Sequence, residues 1–159
     1  MKIPALMYHD VVERGQADAS GFPGGAAAHY KLDVAEFDTH LEALAASGSR
    51  FAAVTDTFVA AAGNGLLTFD DGGASAVAVA AALTRRGMIG HFLITTARIG
   101  QQGFVSAADV VALHSAGHVV GSHSHTHPAE ISRLSMAELE REWQQSVDIL
   151  SALLGVPVT

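Results

Sequence analysis

Three clusters of ionisable side chains punctuate this sequence: Tyr8-His9-Asp10, Asp70-Asp71-Gly72 and His123-Ser124-His125-Thr126-His127. The 159 residues include no cysteine, so any metal chemistry must use nitrogen and oxygen donors, and nine histidines offer nitrogen. Two imidazoles four residues apart, with one carboxylate, make an open divalent-metal site that leaves positions for water and substrate. Adjacent carboxylates at a strand end point in different directions, so one can hold a metal while the other faces the water to be activated. Each cluster also has a plain alternative. Asp-Gly is a common turn dipeptide, and histidine-rich loops are often solvated surface. His9, ending an apolar strand, is either a satisfied core residue or a general acid. His125 lies between the two candidate ligands as a spectator or a supporting group. His29, His40, His91, His114 and His118 fall in helices or at strand starts and read as structural.

The elements that must position these groups alternate in type. Ile3–Tyr8 reads as a strand, Gly15–Ala28 as a long glycine- and alanine-rich loop, and Asp33 as the start of a helix with Glu36 completing a capping box and Gly48 ending it. Phe51–Val54 is a short strand candidate, and Asp56–Ala62 reads as one or two helical turns. Strand Gly65–Phe69 leads into Asp70-Asp71, and alanine-rich Ala74–Arg86 forms a helix stopping at Gly87. Ile89–Ile94 is a strand, Ser106 and Asp109 frame a helix closing at Gly117, and His118–Gly121 is a strand running into the histidine cluster. Ser135 and Glu138 form a second capping box. Leu139, Trp143, Val147, Leu150 and Leu154 then stripe a helix that ends at Gly155.

Strands alternating with helices indicate parallel βα units with right-handed crossovers. All three clusters follow strands, the end at which βα loops converge in parallel barrels. No glycine-rich nucleotide loop follows any strand, so a barrel is favoured over an open nucleotide-binding sheet. The pattern yields five strands, where a barrel of this type has about seven or eight. Val156-Pro157-Val158-Thr159 reads as the opening of a further strand. The expectation is therefore one catalytic domain over residues 1–159, truncated at its C-terminal end, with another chain or a missing segment completing the barrel.

Composition narrows the partners. The formal charge of -7 argues against nucleic acid, whose phosphates need a basic face. The apolar runs fall short of the roughly 20 residues that span a bilayer. Met1-Lys2 runs into too short an apolar stretch for a secretion signal, so the default expectation is a soluble, cytoplasmic protein.

Thr68-Phe69-Asp70-Asp71-Gly72 resembles the Thr-Phe-Asp-Asp-Gly signature of the polysaccharide deacetylase (NodB-homology, carbohydrate esterase) superfamily. His123-Ser124-His125-Thr126-His127-Pro128 is similar to its second motif, His-Ser/Thr-x-x-His followed by proline, and Ser135–Gly155 is similar to the helix after that motif. The resemblance implies an α/β fold, a deformed and here incomplete (β/α) barrel. It implies Asp70 as general base, and Asp71, His123 and His127 as ligands of a divalent metal, zinc foremost, with nickel and cobalt sharing the ligand set. The substrate would be an N-acetylated glycan. Leu6-Met7-Tyr8-His9-Asp10-Val11 resembles the opening of the branch acting on poly-N-acetylglucosamine, in which an early histidine serves as the acid; that role would fall to His9. Alternatives on the same scaffold are hydrolysis of a small cyclic amide or ureide, O-deacetylation, and a catalytically silent glycan-binding fragment.

Overall fold

A computed structural model describes residues 4–54 and 64–158. The helical turns expected over Asp56–Ala62 lie outside the described residues. In chain order the elements are β1 (Ala5–Tyr8), β2 (Val11–Val12), α1 (Gly25–Ala28), β3 (Leu32–Asp33), α2 (Val34–Ala46), β4 (Arg50–Phe51), β5 (Asn64–Phe69), α3 (Ala76–Thr84), β6 (His91–Ile94), α4 (Ala107–Ser115), β7 (Val119–Ser122) and α5 (Met136–Leu154). The main sheet is parallel throughout, ordered β1-β5-β6-β7, with β4 pairing the first residues of β5. This is the α/β arrangement expected, with five strands in that sheet. Among the described residues the sheet does not close into a barrel.

An aromatic ladder sets the height at which the strands end. Tyr8, Phe69 and Phe92 occupy matching positions on β1, β5 and β6. Their rings stack at 5.3 and 5.0 Å between centroids, and Phe37 of α2 meets Tyr8 edge-on at 5.4 Å. Stacked neighbours of this kind contribute beyond their buried area and resist register slips, which would turn each strand's inward residues outward. With Tyr8 and Phe69 level, the next residues, His9 and Asp70, emerge side by side, and Asp70 N donates to Tyr8 O at 2.9 Å. On β7 the register Phe92↔Val120 and Ile94↔Ser122 brings His123 out on the same rim.

The helices form where the caps place them. Ser106 with Asp109 and Ser135 with Glu138 make reciprocal capping boxes at the starts of α4 and α5, and Gly155 ends α5 at φ 70°. Asp33 caps α2 by accepting from Ala35 N, two residues on, where the sequence suggested a box with Glu36.

Three expectations are corrected. The segment read as featureless loop carries a 3-10 turn at Ala17–Ala19 and the short α1, and it is bracketed by β2 and β3, which pair in parallel. Val156–Val158 opens no strand: Val158 N turns back to Ser151 Oγ at 2.9 Å and its side chain is buried. The stripe on α5 holds at Leu150, which is buried, and Leu154, which packs against the core, but fails at Trp143, which is 45% exposed, while Ser146, outside the stripe, is fully buried. No helix among the described residues is long and apolar enough to cross a membrane.

Candidate functional site

The corner after β5 is held from both sides. Asp71 O accepts from Thr95 N and Gly72 O from Val105 N, at 3.2 and 3.0 Å. Asp71 (φ 74°) and Gly72 (φ 77°) are consecutive left-handed residues, and a side chain at Gly72 would press on Ile94. For glycine that conformation is free; for aspartate it costs about 1–2 kcal/mol. Ser124 (φ 63°) and His127 (φ 57°) are the other non-glycine residues with positive φ among those described. All three belong to the two motifs, so the backbone strain is concentrated at the site it shapes.

That strain brings three donor atoms together. His123 Nε2 and His127 Nε2 stand 3.3 and 3.4 Å from Asp71 Oδ1, their ring centroids 5.2 Å apart. Among the described residues these are the three whose ligand atoms could share one metal ion, lying within 4.8 Å of one another. Asp71 Oδ1 is buried yet meets no hydrogen-bond geometry, although the imidazole nitrogens are close. Lone pairs converging on a point, instead of donors aimed at acceptors, suit a cation between them. The residues thus fit a divalent metal, with two nitrogens and one oxygen.

The electrostatics separate the two carboxylates. Burial pushes the Asp70 carboxyl up from its ordinary value, helped by Asp71 and opposed by His123, His9 and His127. Burial also pulls Asp71 upward, but the His123 imidazole 3.3 Å away and the charges of His9, His123 and His127 outweigh it and hold Asp71 below the usual range. The nearby Asp71 carboxylate in turn raises His123, against burial. Asp70 Oδ1 is a second buried oxygen without a hydrogen-bond partner.

A cavity of about 630 Å³ opens over this group and includes His9, Asp70, Asp71, His123 and His127 in its wall. All five residues singled out in the sequence therefore face one space. His9 rests against the Tyr30 ring at 5.1 Å. His125 is not in the ligand group; its Nδ1 bonds Thr96 Oγ1 at 2.9 Å. A groove of similar volume, about 680 Å³, runs past Trp143 and Val147 on α5 and gathers no comparable set of ionisable groups.

Residues the sequence reading passed over also build the site. Asp10, 2% exposed, accepts from Ser20 Oγ and Ser75 Oγ at 2.6 and 2.8 Å, tying the end of β1 to the following loop and to the start of α3. A Cβ on Gly21 or Gly73 would overlap its carboxylate. Lys31 Nζ donates to the carbonyls of Ala17, Ser20 and Phe22, closing that loop. Phe22 packs 4.8 Å from the His127 ring, and the Arg98 guanidinium lies over the Phe22 ring, 5.1 Å from its centroid. Asp10 stands directly beside His9, a signal the sequence did offer. Phe22 and Tyr30 lie in an aperiodic stretch that offers none.

The polysaccharide deacetylase family model matches residues 62–159, and this chain belongs to that family. No curated protein sequence matches it. Its fold is similar to a deacetylase from Streptococcus pyogenes solved with acetate (20% identity, TM-score 0.81, 99% of this chain and 71% of that one). It is also similar to a polysaccharide deacetylase from Bacillus cereus (21%, 0.79, 99% and 49%) and to a de-N-acetylase from Aggregatibacter actinomycetemcomitans (15%, 0.76, 98% and 76%). The chain spans about half the length of the Bacillus cereus protein.

Proposed function

We propose that this site removes N-acetyl groups from amino sugars of a polysaccharide or glycan, with Asp71, His123 and His127 holding a divalent metal, zinc foremost. The observation that carries the reading is the convergence of two imidazole nitrogens on a buried, unpartnered carboxylate oxygen, with Asp70 and His9 facing the same cavity. Family membership supports the reaction class, and so does the similarity to proteins described as a deacetylase with acetate and a de-N-acetylase.

When bound, the metal supplies Lewis-acid polarisation of the acetamide carbonyl and of water. The remaining steps fall to side chains. Asp70, whose carboxyl burial makes more basic than usual, takes a proton from water as the water oxygen attacks the carbonyl carbon. His9, protonated, gives its proton to the nitrogen as the C–N bond breaks, leaving acetate and a free amine. Asp71 stays ionised, as a ligand must, because the imidazoles around it keep its carboxyl low.

The test is metal content together with acetate release from N-acetylglucosamine oligomers, for the wild type and Asp70→Asn. One equivalent of metal in both, with turnover reduced by about 10²–10⁴-fold in the variant, is expected. Normal turnover in Asp70→Asn removes Asp70 as base. Acetate from O-acetylated sugars or small cyclic amides alone would move the substrate class.

A further inference from the structure

The His123–His127 turn makes few of its bonds within itself. Its two middle amides, His125 N and Thr126 N, both donate to Glu142 Oε2, at 3.0 and 2.7 Å. Thr126 Oγ1 donates to the other oxygen, Oε1, at 2.8 Å. Glu142 belongs to α5, sixteen and seventeen residues away in sequence from the groups it grips. One turn further along the same face, Ser146, fully buried, accepts from Ser122 Oγ at 2.8 Å, and Leu150 anchors that face in the core. On its opposite side the turn is stitched to residues 96–97, through Thr96 Oγ1 and Ala97 N on His125.

We infer that Glu142 is a positioning residue that holds the His123–His127 turn in the shape that lets both imidazoles reach Asp71. The inference rests on the reading of Asp71, His123 and His127 as metal ligands. The distance between those imidazoles depends on left-handed backbone at Ser124 and His127, a conformation that two L-residues leave unless something holds them. Glu142 lies between these two positions and fastens the consecutive amides at 125 and 126. An ionised carboxylate suits the task, because three donors face it and it brings two acceptor oxygens and no donor of its own. Glutamine keeps one acceptor oxygen for the amides and can turn its amide group towards the Thr126 oxygen. It should therefore replace Glu142 in part, whereas alanine leaves all three donors to water. In sequence Glu142 is one of several acidic residues on a charged helix, which reads as a solvated face. Only the packing of α5 against β7 and residues 96–98 gives it a partner.

The experiment uses the full chain in two states. In metal-free protein, hydrogen exchange at the 125 and 126 amides is followed by NMR for the wild type, Glu142→Gln, Glu142→Ala and Thr126→Val. Cobalt(II) is then titrated into each, reading affinity and the visible ligand-field band. Expected for Glu142→Ala are loss of protection at both amides and a cobalt affinity lower by about 10–100-fold, with an altered band. Glu142→Gln should recover most of that affinity, and Thr126→Val should lose only a few-fold. Should alanine prevent folding, the glutamine and valine variants carry the test, since both leave α5 intact. Wild-type affinity and an unchanged band in all folded variants overturn the inference. Fast exchange of the 125 and 126 amides in wild type overturns it also, whatever cobalt does. A wild type that protects those amides through Glu142 yet binds no cobalt leaves Glu142 as the clamp of the turn and defeats the metal reading instead.

Discussion

His118 and His123 bracket the four residues of β7, one at each end, and they live in opposite chemistry. At the entry, His118 accepts from Gly90 N through Nδ1 at 3.1 Å and meets Thr84 Oγ1 through Nε2 at 3.1 Å. His91, the first residue of β6, accepts from Val54 N through Nε2 and faces Leu67 O through Nδ1. In each ring one nitrogen takes a backbone N–H, so a second proton there would set donor against donor. Burial holds both below the ordinary histidine value. At the exit, His123 meets a carboxylate instead and is pushed up. One residue type in one sheet thus serves as a neutral strut at one end and as an ionisable group, the proposed metal ligand, at the other. What sorts them is whether a backbone amide or an aspartate lies within reach.

The sharpest way to break that contrast is His123→Ala. It should abolish measurable metal binding, a loss beyond the roughly 10–100-fold that follows removal of a merely supporting group. Thermal stability should change little. Calorimetric titration with zinc decides it, and retained affinity would return the exit histidines to the structural class. Next in size, His9→Gln should lower kcat by about 10²-fold or more while leaving metal content alone. An unchanged kcat in an acetate-release assay would take His9 out of the chemistry.

How far the sequence revealed this division depends on the range of the interactions involved. The capping boxes at Ser106 and Ser135 were legible because their partners sit three residues apart. That His9, Asp70, Asp71, His123 and His127 would share one rim was legible because spacing and strand ends marked them, and the family signature suggested the roles proposed for them. Trp143 misled because helical periodicity says which residues share a face and not whether anything covers it. Asp10 and Glu142 act through partners 10 to 65 residues away, which no local pattern encodes.

The entry end supplies the smaller effects. His118→Phe keeps the ring packing against Phe92 but strands the Gly90 N–H, and should destabilise the fold by about 1–3 kcal/mol in urea unfolding, with metal affinity intact. An unchanged midpoint would mean the bond contributes nothing net. Smaller still is a pH effect. Because folding lowers the pKa of His91 and His118, the unfolded chain takes up protons first, at about pH 6.5. Their stabilising contribution is complete above that value and is lost as pH falls toward their folded values. Wild type should therefore lose urea resistance between pH 7.5 and 5.5, and His118→Phe should lose less over the same interval. Parallel slopes for the two proteins would show that other groups set the acid response.

The knot at Asp10 has a consequence for anyone wishing to re-engineer the cavity's outer wall. Because a side chain at Gly21 or Gly73 would overlap one carboxylate that also holds Ser20 and Ser75, substitutions at positions 10, 21 and 73 should be strongly coupled. A side chain cannot enter at 21 or 73 while the Asp10 carboxylate stands in its place. A directed-evolution library aimed at new substrates would do better to freeze those three and randomise Ala26, Ala27 and Tyr30. Those side chains border the same cavity from a segment whose foundations the knot keeps fixed.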